Sequence, residues 1–353
     1  MIQFAYDALP SRVVFGLGSR QNAGAEMERL KCSRALILST SGHEAQAKTL
    51  AQGIGKSGAG LFCGAVMHTP VSVTNRAMEM ARSVNADCTI ALGGGSAIGL
   101  GKAIALRTDL AQIVLPTTYA GSEMTPILGE TAEGQKTTQR TQKVLPEVVL
   151  YDPELTITLP ANLSVASGFN AIAHAVEAMY AKDRNPMISL LAKEAIAVFV
   201  CSLPILVKQP ADLAARSEAL YGAWLAGTCL GAVGMSLHHK LCHVLGGTFN
   251  LPHAETHTVI LPHAIAYNEP AETAVMRSIA GSIGTDSPSF GLYQLSGQLG
   301  AKRSLRELGM PETGIEKAAS QATQNPYWNP RKLEAEPIRE LIRKAWVGDP
   351  PAT

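Results

Sequence analysis

Short apolar runs recur along the first half of the chain, at residues 35–39 (ALILS), 60–66, 88–92 (CTIAL), 112–115 (QIVL) and 148–151. Several are rich in Ile and Val, and helical patterns such as residues 75–84 (NRAMEMARSV) lie between most of them. Strand-length runs alternating with helix-period segments predict βαβ units and a parallel sheet. Ahead of them, residues 4–8 and 12–15, separated by Leu9-Pro10-Ser11, read as a short strand pair ending in the turn Gly16-Leu17-Gly18-Ser19. After Tyr151-Asp152-Pro153 and Leu159-Pro160 the alternation stops. Residues 164–181, 189–207, 213–226, a small-residue stretch through Gly227, Gly231 and Gly234, 290–299 and 337–346 read as helices, with a loop at 325–331. The expected division is an α/β domain over residues 1–158 and an all-helical domain over 159–353.

In a parallel sheet, ligands bind at the carboxyl ends of the strands, so the turns after the apolar runs are where chemistry is expected. The run CTIAL is followed by Gly93-Gly94-Gly95-Ser96 and then a helical stretch at 97–106. Such a turn exposes backbone N–H groups at the positive end of a helix dipole, which suits a pyrophosphate, although a glycine turn can also be only a tight turn. The next strand ends in Pro116-Thr117-Thr118-Tyr119-Ala120-Gly121-Ser122-Glu123, full of hydroxyls and small residues. Two adjacent polar turns predict a nucleotide cleft.

The second half carries a different signal. His238, His239, His243, His253, His257 and His263, six of the nine histidines, fall within 27 residues. His239 and His243 share a helix face, His253 follows a glycine-rich turn, and upstream Asn170 and His174 are also four apart. Converging imidazoles can hold a metal, a substrate or a proton, and each histidine taken singly also reads as an ordinary polar or core residue.

Composition narrows the partners. Lys+Arg 30 against Asp+Glu 29 leaves a net charge of +1, with no electrostatic footprint for nucleic acid or an anionic membrane. A small molecule is the expected partner. Six scattered cysteines without a C-x-x-C fit reduced thiols in a cytoplasmic protein. The N-terminus lacks the pattern of a signal peptide, and the uncharged stretches 195–207 and 221–237 are too short or too broken to predict a membrane span.

With these pieces in place, the chain resembles the iron-containing alcohol dehydrogenase family along nearly its whole length. The resemblance rests on Gly93-Gly94-Gly95-Ser96 followed by Lys102, on Pro116-Thr117-Thr118 with Gly121-Ser122-Glu123, on Tyr151-Asp152-Pro153, on the helix from Gly168 to Tyr180, and on the histidine segment ending in Leu261-Pro262-His263. It implies a Rossmann-like NAD(P)-binding α/β domain, an all-α domain, and a site in the cleft between them. It places the cofactor on Ser39, Thr40, Gly93, Gly94, Gly95, Ser96, Thr117, Thr118 and Ser122. The family holds its metal with an Asp, a His four residues on, and two later histidines, positions that fall here on Asn170, His174, His239 and His253. An amide in place of the carboxylate removes the anionic ligand, so no metal is expected.

That departure, together with Gly99 and the stretches Met67-His68-Thr69-Pro70 and Leu115 to Thr125, resembles the maleylacetate reductase branch. The branch implies NADH- or NADPH-dependent reduction of the carbon–carbon double bond of a dianionic enone, maleylacetate, to 3-oxoadipate in aromatic-compound catabolism. Thr40 stands where many relatives carry an Asp against the ribose 2′-OH, so either cofactor is expected. By the same resemblance His243 lies beside the nicotinamide and serves proton transfer or enolate stabilisation. His174, His239 and His253 line the vacated metal pocket, Asn170, His243, His253 and Tyr327 bind substrate, and the protein is a homodimer. His257 and His263 are expected to be structural. The alternatives are a metal-dependent alcohol dehydrogenase and a nucleotide-binding protein without catalysis.

Overall fold

Burial follows the apolar runs. The protein is described by a computed structural model over residues 4–132 and 135–351, and it divides into two compact units. The first, Ala8–Leu159, contains β1 (Arg12–Phe15), α1 (Ala23–Arg29), β2 (Ala35–Leu38), α2 (Glu44–Gly53), β3 (Gly58–Phe62), α3 (Val71–Ser83), β4 (Cys88–Gly93), α4 (Gly95–Thr108), β5 (Ala111–Pro116), β6 (Ile127–Ala132), β7 (Gln135–Arg140) and β8 (Val148–Tyr151). Among the described residues, six strands form a parallel sheet in the order β1-β8-β5-β4-β2-β3. Ala35 and Ile37 pack with Ala23, Met27, Ala47 and Leu50, and the alternate residues Leu36 and Leu38 pack with Val73, Ala77, Ile98 and Ile104. Both faces are covered by helices, which is why the strands read as continuous apolar runs and not as alternating ones.

Two features depart from the sequence reading. Residues 4–8 form no strand; Phe4 and Tyr6 are 49% and 37% exposed, so that run has no face to bury. β1 instead pairs in parallel with β8, Arg12 opposite Val148. β6 and β7 form an antiparallel hairpin that the apolar pattern did not signal, because β7 (QKTTQR) is entirely polar.

The second unit takes up the described residues from Pro160 on and is built of helices. Its helices are α5 (Ala161–Tyr180), α6 (Pro186–Lys208), α7 (Leu213–Ala232), α8 (Leu237–Phe249), α9 (His253–Asn268), α10 (Thr273–Ile283), α11 (Pro288–Gln298), α12 (Gly314–Thr323) and α13 (Ala335–Val347). Every residue of α5 from Ser164 to Tyr180 is buried, the polar Asn170, His174 and Glu177 included. Gly168 permits its close approach to α6, since a Cβ there would meet Leu203 Cδ2 at 2.8 Å. α6 is long and apolar enough to suit a bilayer, with a mean hydropathy of 2.1. Here Ala192, Ile196, Phe199 and Leu203 on it are buried in protein, and it packs against α5 and α7.

Candidate active site

In the α/β unit, the chain leaves β2 toward β3 and leaves β4 toward β5, in opposite directions across the sheet. The carboxyl ends of β2 and β4 therefore flank the topological switch point, where open α/β sheets bind ligands. Gly93 has φ +148°, and a Cβ on it would meet Ala97 Cβ at 2.9 Å. A Cβ on Gly94 would meet the Thr118 side chain at 2.9 Å, whereas Gly95, the first residue of α4, faces open space. The start of α4 is thus bare backbone, a cradle that fits a pyrophosphate; Ser96 follows in its first turn.

Around this cradle the predicted residues have distinct placements. The Thr117 N–H donates to the Gly93 carbonyl at 3.1 Å, tying the turn after β5 to the turn after β4. Ser39 is fully buried, its N–H donating to Phe62 O at 3.0 Å and its carbonyl accepting from Ala65 N–H at 3.1 Å, so it anchors the turn after β2. Thr40, next in the chain, is half-buried. Lys102 Nζ donates to Ser122 O, Thr125 O, Thr125 Oγ1 and Ile127 O at 2.6, 2.7, 2.9 and 2.9 Å, which fixes the turn that carries Ser122. Burial lowers the Lys102 amine to about 7, with Glu123 pulling it upward. A cavity of about 440 Å³ in this unit is lined by Leu50, Leu92 and Leu155 with Arg20 and Gln46. Arg20 is paired with Asp152 and Glu154, and the buried Asp152 carboxylate also accepts from the N–H groups of Gly18, Arg20 and Glu154 at 3.1–3.2 Å.

In the helical unit, α8 and α9 bring the histidines to α5. His174 stacks on His239 with ring centroids 5.1 Å apart, His239 lies 6.2 Å from His243, and His253 joins through His257 at 4.4 and 5.0 Å. Asn170, His174 and His239 are 4%, 3% and 4% exposed. Asn170 Oδ1, His174 Nδ1 and His239 Nε2 are buried without a hydrogen-bond partner. Buried polar atoms are normally satisfied, so such a group points to a ligand. Burial, reinforced by His239, His253 and His243, holds His174 well below its usual value, so it is uncharged near neutrality. His243 is exposed, with Nδ1 3.0 Å from the hydroxyl of Tyr327. Burial raises the Tyr327 phenol, which keeps its proton. Lys240 Nζ lies 5.6 Å over the Tyr327 ring, and Asn329 in the same loop exchanges amide hydrogen bonds with Asn268 at 2.7 and 3.0 Å. His238 and His257 are fully buried and bonded to each other at 2.9 Å, while burial pushes His263 down to about 4.

Two residues escaped the sequence reading. Glu177, fully buried on α5, accepts from the Ser236 and His238 N–H groups at 2.8 and 2.7 Å and lies 2.7 Å from His239 Nδ1. It caps α8 from a neighbouring helix and orients His239. The spacing Asn170, His174, Glu177 places all three on one helix face, and that was the available signal. The other is His43, whose Nδ1 is 3.0 Å from Thr40 Oγ1 and whose Nε2 is 3.2 Å from Thr117 Oγ1.

The donor set of the pocket is neutral: an amide oxygen and imidazoles. Among the described residues, the groups of three or more His, Cys, Asp or Glu whose ligand atoms close to within 4.8 Å are His238–Cys242–His257 and Cys32–Asp87–Cys88, and His174, His239 and His253 are not such a group. In the first of these, burial raises the Cys242 thiol well above its usual range, and a protonated thiol is a poor ligand.

Comparison with known proteins gives one consistent answer. Residues 10–153 match the profile "Iron-containing alcohol dehydrogenase", and residues 164–346 match "Fe-containing alcohol dehydrogenase family, C-terminal". A maleylacetate reductase of Sphingobium indicum is 53% identical over 352 residues, covering 100% of both chains. One from a Rhizobium species is also 53% identical, over 99% of this chain and 100% of its own. The crystal structure of maleylacetate reductase from Agrobacterium tumefaciens superposes with a TM-score of 0.97 at 53% identity, covering 99% of this chain and 100% of that one.

Proposed function

The chain belongs to the iron-containing alcohol dehydrogenase family, within its maleylacetate reductase branch, and on that basis we propose that it reduces the carbon–carbon double bond of maleylacetate to give 3-oxoadipate without a metal. The observation that carries the metal-free part is Asn170, a buried neutral amide in the place of the family's anionic ligand. A neutral amide is a much poorer ligand for a divalent ion than the carboxylate it replaces.

When bound, the reduced nicotinamide supplies the hydride that adds to the alkene carbon β to the ketone. Negative charge then collects on the ketone oxygen of the substrate, and hydrogen-bond donors must meet it. Asn170 offers its amide N–H, and Glu177 orients His239 by accepting from its Nδ1–H, which turns Nε2 toward the pocket. His174 and His253 bind the substrate's carboxylate or ketone oxygen. His243, held by Tyr327 through Nδ1, delivers the proton to the α-carbon. Thr40 brings no carboxylate to repel a 2′-phosphate, so both NADH and NADPH serve.

One observation favours a second reading, a metal-dependent alcohol dehydrogenase: a carboxylate on the far nitrogen of an imidazole is also how proteins orient metal-ligating histidines. Exhaustive EDTA dialysis followed by metal analysis and NADH oxidation separates the two. The metal-free reading expects full activity with maleylacetate, little with simple aldehydes, and far less than one equivalent of metal. Stoichiometric iron or zinc whose removal abolishes activity would refute it.

A further inference from the structure

The short turn Ser41–His43 leaves β2 directly, and the His43 ring reaches from it to the turn after β5. β2 and β5 are not neighbours, since β4 lies between them. Adjacent strands are about 4.8 Å apart, so the two ends are separated by about 10 Å. An imidazole with a hydroxyl on each nitrogen spans that gap, here with 3.0 Å to Thr40 Oγ1 and 3.2 Å to Thr117 Oγ1. Thr117 in turn holds the Gly93 carbonyl through its own N–H. One half-buried ring therefore links all three turns around the α4 cradle.

The hydrogen-bond inventory makes this link directional. A neutral imidazole has one N–H and one lone pair, and each threonine hydroxyl has one proton. One hydroxyl must donate into the ring, and the other accepts from it and keeps its proton for a further partner. The ring thus decides which way both hydroxyls point. Burial lowers the His43 pKa, which keeps the ring neutral, and no charged neighbour contributes to that shift.

We propose that His43 is a positioning residue of the cofactor site, orienting the Thr40 and Thr117 hydroxyls toward the ribose and phosphate oxygens of the nicotinamide cofactor. The inference rests on the reading of these turns as the cofactor site, and the test keeps the two apart. His43→Leu fills similar volume but holds neither hydroxyl, whereas His43→Gln again offers a donor and an acceptor on one planar group. Steady-state kinetics with NADH should show KM for the cofactor raised about tenfold in His43→Leu, the size of a lost hydrogen bond, with the loss falling on KM and not on kcat. His43→Gln should recover most of it. Thr40→Val should raise KM in the otherwise unaltered protein and add little on top of His43→Leu. A folded His43→Leu protein with unchanged KM overturns the proposal. If that variant does not fold, Thr40→Val and Thr117→Val carry the test, and unchanged KM in both overturns it equally. NADH binding is followed in parallel by nicotinamide fluorescence. No binding to the unaltered protein removes the cofactor reading itself, while equal binding by unaltered protein and folded variants removes only the role of His43.

Discussion

The proposed metal-free reaction turns on Asn170, and the isosteric acid tests that directly. A carboxylate at a 4% exposed position among neutral imidazoles lacks solvation and a cation. Asn170→Asp should therefore destabilise the metal-free protein by about 1–3 kcal/mol, seen as a lower thermal midpoint. The same change restores an anionic oxygen to the histidines, so Zn²⁺ affinity measured by titration calorimetry should rise at least about tenfold, and zinc should return the lost stability. Equal zinc affinity in the two proteins would show that the amide is not what sets metal binding. His243 makes a second test, independent of metal. Replacing a proton donor of this kind lowers turnover by about 10²–10⁴-fold, so His243→Ala should lose kcat while binding NADH as before. Tyr327→Phe removes the hydroxyl on His243 Nδ1 and should lower kcat by a smaller factor, about tenfold. Normal turnover in His243→Ala would move proton delivery to another group.

At the scale of elements, α5 and α8 meet through Glu177. Two backbone N–H groups and an imidazole converge on one buried carboxylate, which sits at the positive end of the α8 dipole. Glu177→Gln keeps the shape but loses the charge and puts an NH₂ where an acceptor is needed. It should destabilise the protein by about 2–4 kcal/mol, measured by urea unfolding. A loss under about 0.5 kcal/mol would place Glu177 outside the set of groups that hold α8. Glutamate in a helix usually faces water, so the spacing with Asn170 and His174 passed unread although it was present. The parallel strands were legible because helices cover both faces and leave uninterrupted apolar runs. β7 was not legible, because its residues are polar and no apolar pattern marks a hairpin. Residues 4–8 misled in the opposite sense, alternating like a strand while their aromatic side chains stay exposed. The glycine turn at 93–95 was readable from type and spacing alone. His43 needed the strand order, since nothing in the chain says that the ends of β2 and β5 lie one imidazole apart.

Across the whole molecule, the buried histidines set its response to acid. Burial holds His263 at about 4 and holds His174, His238 and His257 well below 6.5, with neighbouring histidines adding to the shift in the last three. Between those values and 6.5 the unfolded chain binds protons that the folded one refuses. The stability these groups allow is therefore complete above pH 6.5 and is lost as pH falls from 6.5 toward 4. For His263 alone, a shift of 6.5 to about 4 corresponds to about 3 kcal/mol. Lys102 adds no slope in this window, because its fall from 10.5 to about 7 acts only between those values, where stability declines as pH drops toward 7. Glu123 acts in the opposite sense: burial raises its carboxyl above 4.5, so its contribution falls as pH rises past that point. Because groups of both signs are present, a single melting curve at low pH does not isolate the histidines, but a difference between variants does. His263 Nε2 is buried without a partner, so an apolar replacement gives up no hydrogen bond at that nitrogen. The stability difference between His263→Leu and the unaltered protein, read from thermal midpoints taken from pH 7.5 to 4.5, should shift in the variant's favour as pH falls, by up to about 3 kcal/mol. Parallel curves over that range would mean that His263 takes up no proton on unfolding, and the acid sensitivity would then belong to the other three.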